Sequence, residues 1–137
     1  MQRIVALDIG SVRIGVAVSD PLGMFAQGIA VLSAEGSWLD ELASIVAGYG
    51  KPKLLIGLPR RTDGTEGPEA LKIRETAEVV KARFPDLETE LWDERFTTVI
   101  AQQSLIEGDV SRRARKHKVD KIAAALLLQS YLDRGRA

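Results

Sequence analysis

Three acidic residues, each at the boundary of a predicted element, could together hold metal ions. Asp8 closes the apolar run 3–7, Glu94 follows a later strand-like run, and Asp120 opens the apolar pattern of the last predicted helix. Carboxylates at element ends are free to converge, and three converging carboxylates suit a pair of divalent cations. Oxygen ligands favour Mg²⁺ or Mn²⁺ over softer metals. We therefore predict two such ions, held by Asp8, Glu94 and Asp120, which would activate water for hydrolysis.

The composition excludes several other chemistries. The chain has 137 residues and 45% hydrophobic residues, enough for one domain with a real core, and we expect a single domain over residues 1–137. It contains no cysteine, which excludes disulfides, thiolate zinc sites and thiol catalysis. It contains one histidine, which excludes a multi-histidine metal site. Only oxygen ligands remain for a metal.

Positive charge is concentrated near the C-terminus. Although the formal net charge is zero, residues 111–137 hold eight Lys and Arg against two Asp, whereas residues 1–110 hold 11 basic against 17 acidic residues. Six of those eight bases are Arg112, Arg113, Arg115, Lys116, Lys118 and Lys121. A basic run is most often a solvated face, but this one adjoins a candidate metal ligand. We therefore predict that it binds the phosphate backbone of a nucleic acid.

Each acid also has a simpler interpretation. Asp8 could be a turn residue that accepts backbone hydrogen bonds beside Gly10. Glu94 could belong to a solvated strand end. Asp120, near the start of a predicted helix, could merely complement the helix dipole. From spacing alone these alternatives remain open.

The chain shows no signal for export or for a membrane. No N-terminal stretch combines a basic start, a long apolar core and a cleavage site, and the apolar runs fall short of the roughly 20 residues that a span needs. We expect a soluble protein of the cytoplasm with no membrane partner.

Apolar periodicity and turn residues predict the order β-β-β-α-β-α-β-α-α. The predicted strands cover residues 3–8, 14–19, 26–32, 53–58 and 87–92. Helices are predicted from a Ser37 cap to Gly50, from about Glu66 through Phe84 with Leu71 on the buried face, from Thr97 or Thr98 to Glu107, and from Val119. Residues 109–118 are predicted to be a mobile loop. This order predicts an α/β fold with a mixed five-stranded sheet and helices on both faces.

Four motifs in this order resemble those of a known family. They are 8–20, which reads DIGSVRIGVAVSD; 57–59 with 63–65, which read GLP and DGT; 93–98, which reads DERFTT; and 119–124 with 128–129, which read VDKIAA and LQ. Together they resemble the YqgF/RuvX family of Holliday-junction-resolvase-like proteins, which are named as nucleases for the precursor of 16S ribosomal RNA. The resemblance spans nearly the whole chain.

The resemblance implies a ribonuclease H-like fold and a metal-dependent nuclease with Asp8, Glu94 and Asp120 as its metal-binding catalytic acids. It favours processing of the 5′ end of the 16S rRNA precursor. Asp93 would support the site by fixing Arg95 or by capping the following helix. The predicted nucleic-acid contacts are Arg13, Arg95, Arg112, Arg113, Arg115, Lys116, Lys118 and Lys121.

Other functions remain open at this point. The same fold could resolve four-way DNA junctions in recombination or repair, which is simplest for a two-fold dimer. It could also bind single-stranded or branched nucleic acid without cutting it. An ATP-dependent phosphotransferase is a weaker alternative, because the start of that fold also resembles residues 8–11 but normally needs a second domain. The sequence leaves open whether the protein is a monomer or a homodimer.

Overall fold

Five strands form one mixed sheet in the computed structural model, which describes residues 2–94, the backbone of 112–119, and 120–134 in full. The strands are β1 (Ile4–Ile9), β2 (Arg13–Ser19), β3 (Ala26–Ser33), β4 (Lys53–Leu58) and β5 (Thr89–Asp93). Their order across the sheet is β3-β2-β1-β4-β5. β1, β2 and β3 form an antiparallel meander, while β1, β4 and β5 run parallel. The predicted mixed five-stranded sheet is confirmed.

Helices cover both faces of the sheet. They are α1 (Trp38–Ala47), α2 (Pro68–Arg83) and α3 (Arg112–Leu132). The large side chains of the strands pack with α1 and α2, whereas α3 packs on the other face, against Ala6, Ala17 and Leu55. The prediction for Leu71 was wrong. The buried stripe of α2 consists of Ala70, Ile73, Ala77 and Val80. Leu71 is rotated by about 100° from Ala70 around the helix axis and is 62% exposed.

α3 begins earlier than the sequence pattern predicts. Residues 112–118, predicted as part of a mobile loop, form its first two turns. Arg, Lys and Ala are strong helix formers, and neither Gly nor Pro interrupts 112–132, so a helix needs no apolar stripe there. Asp120 therefore lies in the third turn of α3 and not at its start. Residues 109–111 and the helix predicted over 97–107 lie outside the described residues.

Glycines let the backbone of α3 rest directly on the sheet. A Cβ at Gly15 of β2 would collide with the carbonyl oxygen of Asp120, and a Cβ at Gly28 of β3 would lie 2.7 Å from the carbonyl oxygen of Lys121. Any larger residue would hold the helix farther away. The absence of a side chain at Gly15 thus lets the backbone of α3 approach β2.

The other end of α3 is anchored by a polar network. Tyr131, 1% exposed, accepts a hydrogen bond from the Lys53 ammonium at 2.7 Å, and Lys53 also donates to Glu90 at 2.6 Å. The Tyr131 ring packs edge-on against Trp92 with centroids 5.1 Å apart. This network fixes α3 relative to β4 and β5. None of the helices in the described part of the chain is both long and apolar enough to span a bilayer.

Candidate metal and nucleic-acid site

The three predicted acids lie at one edge of the sheet, where the parallel strands end. Asp8 is near the end of β1, directly opposite Gly15 of β2. Glu94 follows β5, and its backbone N–H continues the ladder by donating to the Leu58 carbonyl at 3.2 Å. Asp120 comes from α3, whose backbone at that residue lies against Gly15. Because Asp8 and Gly15 are cross-strand neighbours, the helix brings Asp120 next to Asp8.

Gly57 makes room for Glu94 in the same way. A Cβ built at Gly57 of β4 would collide with the Glu94 carboxylate and would lie 2.9 Å from Leu127 of α3. Without a side chain at this position, the Glu94 carboxylate lies across β4 toward β1. The motif around Gly57 is evident in the sequence, but the reason for its glycine is evident only in the structure. The sequence signal for this close approach is a small residue at alternate strand positions, on the face of the sheet that contacts α3. Ala6, Ala17 and Gly15 are examples.

Asp8 and Glu94 form a carboxyl pair in which Glu94 holds a proton. Burial, the negative charge of Asp8 and a hydrogen bond to Asp8 together raise the pKa of Glu94 to about 8, and the charge of Asp93 adds to this. Burial also raises the pKa of Asp8, and the charge of Asp120 contributes, while the hydrogen bond from Glu94 acts in the opposite direction. Two ionised carboxylates within hydrogen-bonding contact repel each other unless a proton or a cation lies between them.

Asp120 is held by Arg13. The Arg13 Nε–H donates to Asp120 Oδ2 at 2.5 Å, and the two side chains are 37% and 23% exposed. Asp120 is still close enough to Asp8 for its charge to affect the pKa of Asp8. Within residues 2–94 and 120–134, whose side chains the structure describes, no three His, Cys, Asp or Glu side chains are arranged as a ready metal cluster. The three acids therefore lie at one place, with two of them in contact and the third paired with an arginine.

The donor set nevertheless fits a hard divalent cation. All three groups are carboxylates, and Mg²⁺ and Mn²⁺ take oxygen ligands. The Asp8–Glu94 pair has the excess of negative charge that a cation would neutralise. Asp120 would complete the set if its carboxylate turned from Arg13 toward Asp8.

The remaining predicted site residues are distributed around these acids. Asp93 is the last residue of β5 and contributes negative charge near Glu94. Lys121 follows Asp120 on α3 and lies over Gly28. Arg112, Arg113, Arg115, Lys116 and Lys118 belong to the first two turns of α3, which lead to Asp120. Arg95 lies outside the described residues.

A structured loop follows the end of β4, the strand beside Glu94. The Asp63 carboxylate accepts hydrogen bonds from the Thr65 N–H at 2.9 Å and from its hydroxyl at 2.7 Å. Gly64 has a φ of 89°, which favours glycine, and the Arg61 N–H and carbonyl close the loop with two 2.8 Å backbone bonds. The Asp63-Gly64-Thr65 motif is thus a turn that fixes the backbone of Arg61 in the loop after β4.

The fold is shared with known resolvases. The structure of Thermus thermophilus RuvC in complex with a Holliday junction substrate matches 98% of this chain and 97% of that chain, with a TM-score of 0.56 and 14% identity. The fowlpox virus resolvase in complex with Holliday junction DNA matches 99% and 100%, with a TM-score of 0.54 and 18% identity. The fold is therefore ribonuclease H-like, of the class that includes these resolvases.

The sequence comparisons define the family within that class. The family model described as "RuvX: Holliday junction resolvase" matches residues 2–134. A Listeria monocytogenes protein named "Putative pre-16S rRNA nuclease" is 45% identical over 135 residues, covering 96% of this chain and 97% of its own length. A Heliobacterium modesticaldum protein of the same name is 46% identical over 133 residues, covering 96% and 89%. This chain belongs to the RuvX family.

Proposed function

We propose that this protein is a metal-dependent nuclease that hydrolyses phosphodiester bonds during maturation of the 16S ribosomal RNA precursor, at its 5′ end. The observation that carries the proposal is the Asp8–Glu94 carboxyl pair at the ends of two parallel strands, with Asp120 beside it. The names of the relatives support the RNA substrate. A ribosomal RNA precursor as substrate implies action in the cytoplasm.

Asp8, Glu94 and Asp120 would hold Mg²⁺ or Mn²⁺, in two positions. When bound, such ions lower the pKa of water and stabilise the leaving oxygen. The contribution of the chain is to hold three carboxylates on three rigid elements, so that little reorganisation is needed during the reaction. Glu94 has to release its proton to become a ligand, and this release would favour metal binding at neutral and higher pH.

The first turns of α3 would bind the substrate backbone. Their basic residues lie on the helix that carries Asp120, so a strand bound along α3 is directed to the acidic edge. Contacts of this kind provide affinity without reading the base sequence. Lys121, next to Asp120, is the nearest candidate for a contact with the phosphate that is cut.

Resolution of four-way DNA junctions is the second candidate function. The description of the matching family model favours it. A junction needs two symmetric cuts and therefore a pair of sites, whereas precursor trimming needs one. The oligomeric state in solution separates these requirements.

The test is a cleavage panel with purified protein. A 16S rRNA precursor fragment, single-stranded RNA and DNA, and a four-way junction are each incubated with Mg²⁺, Mn²⁺ or chelator. We expect metal-dependent cutting, with the precursor RNA preferred. Preference for the junction by a dimer would replace RNA processing with the second candidate. Binding without cutting under every condition would indicate a non-catalytic binding module.

A further inference from the structure

Asp120 has a positively charged partner of its own inside the candidate site. Arg13 Nε lies 2.5 Å from Asp120 Oδ2, and both side chains are partly shielded from water. Asp8 and Glu94 contact each other instead. A cation that collects all three carboxylates must therefore compete with the Arg13 guanidinium for Asp120.

Both partners of this ion pair are mounted on rigid backbone. Arg13 is the first residue of β2, and its carbonyl accepts the Gly10 N–H at 2.9 Å across the β1–β2 turn. A Cβ at Gly10 would lie only 2.8 Å from that carbonyl, so the turn is tight. Asp120 is fixed by the contact of its backbone with Gly15, two residues along the same strand from Arg13. The pair is therefore preorganised and is not a chance surface contact.

We propose that Arg13 is a positioning residue that holds Asp120 in the metal-free protein and releases it when the metal ions bind. This inference rests on the proposed function, because it assigns Asp120 to the metal. In the metal-free protein, the guanidinium supplies the positive charge that the metal ion would otherwise bring. It thereby reduces the repulsion between the carboxylates of Asp120 and Asp8. When Asp120 turns to the metal, the Arg13 guanidinium no longer has a carboxylate partner. It is then free to contact a phosphate oxygen of the substrate, a geometry that guanidinium groups favour. Metal binding and substrate binding are thereby coupled.

The first test measures Mn²⁺ affinity by calorimetry in the absence of nucleic acid. Arg13→Gln removes the competing charge, so its dissociation constant should fall roughly three- to fivefold below that of the wild type, the upper part of the range for a partly exposed ion pair. Arg13→Lys keeps a competing charge and should stay within about twofold of the wild type. Arg74→Gln is the matched control, because it removes an arginine–carboxylate pair with two 2.7 Å bonds to Glu66 and should leave the affinity unchanged.

The outcomes separate this inference from the proposed function. Wild-type protein that binds metal, with Arg13→Gln binding equally or more weakly, would overturn the role of Arg13 and leave the metal site intact. Wild-type protein that binds no metal would overturn both. A purely structural role of Arg13 predicts weaker binding in the Gln variant, the opposite sign.

A second measurement uses the wild type alone and does not depend on the folding of a variant. The Arg13 Nε–H resonance is followed by NMR while Mg²⁺ is added to protein first treated with chelator. We expect the resonance to shift or broaden in proportion to metal occupancy as the bond to Asp120 breaks. A resonance that stays unchanged at saturation would contradict the exchange.

Discussion

At the scale of single residues, the site is defined by opposing charges. Burial and the adjacent charge of Asp8 raise the pKa of Glu94 to about 8, so Glu94 keeps a proton at neutral pH. Asp120 is neutralised by Arg13. In the metal-free protein the Asp8–Glu94 pair is thus compensated by one proton, and Asp120 is compensated by a guanidinium. Under the proposed function, both compensating groups would have to move when a divalent cation binds.

The raised pKa of Glu94 makes the stability of the metal-free protein depend on pH. The ordinary pKa of Glu94 is 4.5, and in the folded protein the pKa is about 8. Below about 4.5 the group is protonated in both states and costs nothing. As the pH rises from there to about 8, the unfolded chain releases the proton first, so this group contributes a progressive loss of stability. We expect Glu94→Gln to remove most of this loss, measured as the urea midpoint against pH in chelator.

The matched control for this prediction is Glu75→Gln, an exposed glutamate of α2. It should leave the pH profile of the wild type unchanged. Saturating Mg²⁺ should restore wild-type stability at pH 8, because the cation binds only the folded state. If the profile of Glu94→Gln declines as steeply as that of the wild type, the pairing of Glu94 with Asp8 is wrong.

At the scale of elements, glycines decide how close α3 comes to the sheet. Gly15 and Gly28 lie under the backbone of Asp120 and Lys121, and Gly57 makes room for Glu94. Three strands thus each lack a side chain at the position where an acid or its helix must pass. The convergence of the three acids therefore depends on these glycines as much as on the acids themselves.

Gly15→Ala should separate α3 from β2. The new Cβ would collide with a backbone carbonyl, which cannot rotate away, so the helix has to shift. We expect a loss of about 1–3 kcal/mol in the free energy of unfolding, as for overpacked cores, and weaker metal binding because Asp120 moves with the helix. Both are measurable by chemical denaturation and calorimetry.

Gly36→Ala is the control for the glycine substitution. Gly36 is exposed, and its nearest neighbour to a new Cβ is 3.7 Å away, in ordinary contact. We expect a change within about 0.5 kcal/mol. Equal stability and equal metal affinity of Gly15→Ala and the wild type would contradict the close approach of α3.

Much of the element pattern could be predicted from the sequence. The run 53–58 is apolar after Lys53 and is bounded by proline on both sides, and the observed β4 has the same first and last residues as the predicted strand. The beginning of α3 could not be predicted from apolar periodicity, because residues 112–118 contain no apolar stripe although they favour a helix. The ion pair of Arg13 with Asp120 joins residues far apart in sequence, and no local pattern indicates it.

At the scale of the whole molecule, the two faces of the sheet have different tasks. α1 and α2 cover large aliphatic side chains and form the main core. α3 covers a face of small residues and carries both an acid and most of the clustered positive charge. Under the proposed function, α3 would contribute to both metal binding and substrate binding, whereas α1 and α2 cover the main core on the opposite face.

The concentration of basic residues on α3 predicts that this helix causes the salt dependence of RNA binding. Arg112→Gln with Arg113→Gln should weaken RNA binding and reduce the slope of log affinity against log salt by about 0.7 for each single-strand phosphate that is no longer neutralised. The charge-matched control is Lys81→Gln with Arg83→Gln at the end of α2, on the other face of the sheet. We expect the control to keep the wild-type slope. Equal slopes for both double variants would contradict binding along α3.

The central claim is that the carboxylate of Asp8 holds the metal that cuts the substrate. The most direct test is single-turnover cleavage by Asp8→Asn at saturating Mg²⁺, beside Asp20→Asn, which changes an aspartate that accepts the N–H groups of Met24 and Phe25 in the β2–β3 turn. We predict that Asp8→Asn cuts at least about 100-fold more slowly, with nucleic-acid affinity in chelator within about twofold of the wild type, and that Asp20→Asn cuts normally. Cleavage by Asp8→Asn at the wild-type rate would contradict the claim.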